Sequence, residues 1–102
     1  MNHRLLANVH VTLGQPKLRR DDAAAIEALL RADDKIYNLV IEDHQVVFYI
    51  WDEEKIDYSV LEKIKKLLQD KGYVDFVITA DEYAKTGQKY YYANNDSSLR
   101  KG

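Results

Sequence analysis

The order of hydrophobic periodicities along this 102-residue chain predicts a small α+β domain. Three observations carry the expectation. Residues 5–13 alternate with a period of two, as a half-buried strand does. Two later stretches, 21–32 and 59–71, carry apolar residues at helical spacing. Between them lie two β-rich runs joined by a three-residue turn.

In the first strand Ala7, Val9, Val11 and Leu13 share one face, with Asn8, His10 and Thr12 on the other, and Gly14-Gln15-Pro16 ends it. Asp21 or Asp22 is the expected cap of the first helix, because a carboxylate there accepts free backbone N–H groups. Ile26, Leu29 and Leu30 form that helix's stripe. The runs 36–42 and 46–51, separated by Asp43-His44-Gln45, form a hairpin. Ser59-Val60-Leu61-Glu62 reads as a capping box, followed by the stripe Val60, Leu61, Ile64, Leu67 and Leu68. Gly72 is the left-handed stop. Residues 73–80 and 89–93 are strands, with Thr86-Gly87 as the turn between them. The order β-α-β-β-α-β with right-handed crossovers is the ferredoxin-like arrangement. An extra C-terminal strand is added, and both helices lie on one sheet face. Residues 1–93 make one domain and 94–102 a polar, flexible tail.

Composition excludes several classes. The chain contains no Cys, which rules out disulfides, thiolate catalysis and Cys-based metal sites. No apolar run approaches the roughly 20 residues of a membrane span, and the first residues lack a signal-peptide core. The expectation is a soluble cytoplasmic domain without a cofactor. Net charge is −2, and the halves hold 6 and 9 basic against 7 and 10 acidic residues, so no basic arm draws the chain to polyanions.

Two helices cover only one face of the sheet. The other face is expected to be polar where it meets water. The first strand follows that rule and the hairpin does not. Val46, Phe48 and Ile50 fit one face, while Val47, Tyr49 and Trp51 fit the other. Tyr37, Leu39 and Ile41 oppose Ile36, Asn38 and Val40, and Val74, Phe76 and Ile78 oppose Asp75, Val77 and Thr79. The helix-free face is therefore expected to gather Val40, Val47, Tyr49, Trp51 and Val77 with Asn8, His10, Thr12 and Asn38. Tyr90 and Tyr92, or else Tyr91, extend it. The expected partner-binding set is Asn8, His10, Asn38, Val40, Val47, Tyr49, Trp51 and Val77. Contiguous apolar patches mark interaction sites, and Trp and Tyr are preferred anchors. Two readings stand: another molecule covers the patch, or the C-terminal segment folds over it.

The loops at one end of the sheet collect Asp33, Asp34, Asp52, Glu53, Glu54, Asp57, Asp81 and Glu82. Without a calcium-loop spacing these read as loop carboxylates and helix-start charges rather than a metal site. His3 and His44 read as solvated, and His10 as a hydrogen-bonded side chain of the patch. No phosphate loop or nucleophile elbow occurs.

Three functional classes follow. The first is a non-enzymatic interaction module of inhibitor, immunity or regulatory type that binds itself or another protein. In the second, the strand order resembles the RNA-recognition motif, whose sheet aromatics stack bases. Tyr49 and Trp51 carry that resemblance, but residues 44–51 lack the basic-Gly-aromatic signature. In the third, the element order, Asn8 in the first strand and Trp51-Asp52-Glu53 ending the third resemble the small dimeric α+β-barrel family. That family includes cofactor-free monooxygenases and haem-degrading oxygenases, and the resemblance implies a sheet-face pocket of Asn8, His10, Asn38, Tyr49 and Trp51. The haem-degrading members also use a Trp and a His on the later helix, and residues 59–71 contain neither.

Overall fold

A computed structural model describes residues 5–83 and 88–95. Five strands and two helices follow in the order β1 (Leu5–Leu13), α1 (Arg20–Arg31), β2 (Ile36–Ile41), β3 (Gln45–Asp52), α2 (Ser59–Asp70), β4 (Asp75–Glu82) and β5 (Gln88–Asn95). They form one antiparallel sheet in the order β2-β3-β1-β4-β5. The chain is thus a small α+β domain with a five-stranded antiparallel sheet and two helices. No helix among the described residues is long and apolar enough to cross a membrane.

Alternation decides which strand residues are buried. Ala7, Val9 and Val11 of β1, Val46 and Phe48 of β3, and Ile78 and Ala80 of β4 are fully buried. Ile26 and Leu30 of α1 and Leu61, Ile64 and Leu68 of α2 complete the same core. Each helix presents its apolar stripe to one face of the sheet, and burying these branched side chains contributes roughly 1.5–3 kcal/mol apiece.

The helix ends depart from expectation. The N-cap position of α1 is Arg19, with no side-chain cap bond. Asp22 lies in the first turn, buried, and its carboxylate is taken up at long range. It accepts from the Tyr73 hydroxyl at 2.6 Å and from Arg19 Nε at 3.1 Å. The capping box at Ser59 and Glu62 does not form. The Ser59 N–H donates to Asp57 Oδ1 at 2.9 Å, while Glu62 receives Lys65 and the Tyr90 hydroxyl. Gly72 does adopt the left-handed conformation, with φ 92°.

Strand boundaries also move. β4 runs Asp75–Glu82 instead of 73–80, and Tyr73, ahead of it, turns inward to Asp22. β5 continues through Asn94 and Asn95, which pair with Phe76 and Asp75, so the ladder extends past the expected boundary at 93. The Thr86-Gly87 turn, His3 and residues 96–102 of the expected tail lie outside the described residues.

Candidate interaction face

The register places the helix-free face row by row. Across its middle, His10 on the central strand lies between Val47 of β3 and Thr79 of β4, with Val40 beyond Val47 and Tyr91 beyond Thr79. The next row runs Tyr37, Tyr49, Asn8, Asp81. On the other side Thr12 lies between Gln45 and Val77, with Ala93 beyond. Leu6 pairs with Trp51 at the corner. Of the expected binding residues, Asn8, His10, Val40, Val47, Tyr49, Trp51 and Val77 thus share this face.

Asn38 departs from expectation, and it explains a second departure. Tyr37 pairs with Tyr49, yet Val40 pairs with Val47, so β2 holds one residue more than β3 between those rungs. Asn38 takes up this slack with φ 57°, a left-handed conformation that Asn tolerates better than most residues. The bulge reverses the alternation before it. Tyr37, expected on the helix side, instead stacks on Tyr49 across the open face, with ring centroids 5.6 Å apart and planes 23° from parallel.

Tyr83, just after β4, adds a third ring that the sequence reading did not place. Its N–H donates to Leu6 O at 2.9 Å, and its ring leans on Tyr49 at 6.1 Å. Its hydroxyl donates to Tyr49 Oη at 3.3 Å. Donation to Tyr49 raises the Tyr83 hydroxyl above the ordinary phenol range, burial adds to this, and the Asn8 side chain opposes it. Asn8 Oδ1 is buried beneath this group and has no partner among the described residues. Of the C-terminal aromatics expected to extend the face, Tyr91 does so, whereas Tyr90 and Tyr92 turn to the helix side. There Tyr90 bonds Glu62, and Tyr92 accepts from Gln69 Nε2 at 2.6 Å.

Charge sits at the margins. Lys35 Nζ lies 5.6 Å from the Trp51 ring centre and 2.7 Å from Asp52 Oδ2. The Lys35 bond and the backbone N–H groups of Glu54 and Glu53 hold the Asp52 carboxyl down at about 2. Asp75 and Asp81 fall on the same side of β4 by alternation. Asp33 and Asp34 act with Asp52 on Lys35, yet among the described residues no three His, Asp or Glu side chains form a metal-ligand set. Glu82 instead is buried on the helix side, where it receives the Tyr58 hydroxyl; burial first, then that bond, pushes Tyr58 upward. His44, expected in solvent, places Nδ1 3.1 Å from both Leu13 O and Gly14 O, fastening the hairpin turn to the end of β1.

No family model matches the chain, and no curated protein does. Among solved structures it is similar to a phage SAM lyase in complex with S-methyl-5′-thioadenosine. That likeness has a TM-score of 0.46 and 13% identity, covering 95% of this chain and 93% of the other.

Proposed function

We propose that this chain is a non-enzymatic protein-interaction module of the inhibitor, immunity or regulatory type. In this reading it is a soluble, cytoplasmic, cofactor-free domain on a ferredoxin-like β-α-β-β-α-β frame with an added strand. Its helix-free sheet face takes a second copy or another protein.

One observation carries the proposal. Among the described residues, the large apolar side chains that stand exposed are Tyr37, Val40, Val74, Tyr83 and Tyr91, and all but Val74 lie on this face. An apolar surface of this kind is a feature of interaction sites, with Tyr and Trp as anchors. Chemistry favours protein over nucleic acid. Polyanion binding needs unpaired cations, whereas Lys35 is already matched to Asp52 and the β4 side carries Asp75 and Asp81. Shape favours a protein over a small molecule, because small ligands take concave sites. Clefts of about 450, 430 and 350 Å³ lie elsewhere, and one of about 280 Å³ reaches Tyr37 and Asn38 at the β2 edge; none is lined by Asn8, His10, Tyr49 or Trp51.

Light scattering across a concentration series tests this. The expected result is a mass rising toward twice 11.9 kDa, returned to the monomer value by Tyr37→Asp with Tyr91→Asp. If the wild type stays monomeric, it should recover a protein from its native source that the double variant does not. A monomer with no such difference overturns the reading. Salt-sensitive binding of unpaired oligonucleotides that is lost with the same substitutions transfers the face to the nucleic-acid class.

A further inference from the structure

We propose that the groove between α1 and α2 is a second docking surface, and that it takes an acidic amphipathic helix of a partner protein. It lies on the helical layer and stands independently of the open-face reading.

The groove is a cleft of about 350 Å³ lined by Leu29 of α1 and by Lys63, Lys66, Leu67 and Asp70 of α2, with Lys71 just beyond. Leu29 and Leu67 form its floor. Both pack against the core yet remain partly exposed, whereas their helix neighbours Leu30 and Leu68 are fully buried. A partner's apolar side chain on this floor completes a burial that the fold leaves unfinished. The rim has a definite sign. It carries three lysines against one aspartate in a chain whose net charge is −2. Lys63, Lys66 and Lys71 belong to no ion pair among the described residues, while Lys65 on the same helix is matched to Glu62.

Spacing selects the form of the ligand. Lys63, Leu67 and Lys71 fall at i, i+4 and i+8 on one stripe, so the two lysines flank the leucine over roughly 12 Å at 1.5 Å per residue. A helix laid in the groove presents residues at the same period. Apolar side chains along one face of that helix meet Leu29 and Leu67, and flanking Glu side chains meet the lysines. A basic helix meets repulsion at that rim, and an uncharged one forgoes the ion pairs that set register.

The test uses the full chain and two synthetic helical peptides, one with Leu on one face flanked by Glu, the other with every Glu replaced by Lys. Amide chemical shifts locate binding, and fluorescence anisotropy measures it. The acidic peptide is expected to shift the amides of Leu29, Lys63, Leu67 and Lys71. Its affinity should fall about tenfold or more in Lys63→Glu/Lys66→Glu/Lys71→Glu, and also with added salt. Leu67→Gln should weaken it without altering the charge, and Trp51→Ala should leave it unchanged, separating this site from the open face. Circular dichroism verifies that each variant is folded. No shift at millimolar peptide, an equal response to the Lys peptide, or shifts confined to the open sheet face each overturn the proposal.

Discussion

Removing one buried hydroxyl, Tyr73→Phe, tests how the helical layer is locked to the sheet. Tyr73 is 1% exposed. Its oxygen accepts the Arg19 N–H at 2.8 Å and donates to Asp22 Oδ2 at 2.6 Å, tying the start of α1 to the chain just past α2. Phe keeps the ring, and with it the Arg19 guanidinium 4.4 Å from the ring centre. What is lost is one hydrogen bond to a buried carboxylate, typically about 1.5–3 kcal/mol, and one neutral bond of about 0.5–1.5 kcal/mol. Asp22 keeps its contact with Arg19 Nε at 3.1 Å, which offsets part of the loss, so the net cost is about 2–3 kcal/mol. In a domain of this size that lowers Tm by roughly 10–20 °C. Urea unfolding followed by circular dichroism, with the midpoint lowered at unchanged slope, is the assay. A loss below about 0.5 kcal/mol would show that water serves Asp22 as well as Tyr73 does, and would refute the argument. Because Tyr73 lies on the helix side, binding by the open face per folded molecule should not change.

Two further perturbations probe the margins of that face. Asp52 is held at about 2, below its ordinary 3.8. Its charged form therefore stabilises the fold above about pH 4, and this contribution disappears as pH falls toward 2. Lys35→Gln should flatten that acid limb in melting curves recorded between those values; an unchanged limb would mean the ion pair does not hold Asp52 low. At the β2 bulge, Asn38→Gly should be neutral within a few tenths of a kcal/mol, whereas Asn38→Val should cost about 1–2 kcal/mol, since a β-branched residue resists φ 57°. Equal stability of the two variants in urea would show that the bulge is not a left-handed constraint.

Most of the face was legible in the alternation of β1, β3 and β4, because a period of two assigns each side chain to one side once a strand is recognised. Val47, Tyr49 and Trp51 against Val46, Phe48 and Ile50 needed nothing more. The places of Asn38 and Tyr37 were not legible. A bulge is one extra residue between two rungs, and it shows only when the partner strand is counted against it. Asn at position 38 was the sole local hint, as one of the few residues tolerant of positive φ. Tyr83 follows a strand end, where alternation has no force, and only its contacts with Leu6 O and Tyr49 reveal its direction.

What the sequence determined by itself is the set of elements and the burial of their apolar stripes, because hydrophobic periodicity acts over a few residues of one strand or helix. Polar groups were decided elsewhere. Asp22 and Glu62 both stood where a helix start would use them, yet the tertiary structure gave Asp22 to Tyr73 and Glu62 to Lys65 and Tyr90. A side-chain carboxylate can be satisfied equally well by the nearest backbone N–H or by a hydroxyl 51 residues away. Local spacing cannot choose between them; only the packing that brings Tyr73 beside α1 and Tyr90 beside α2 does.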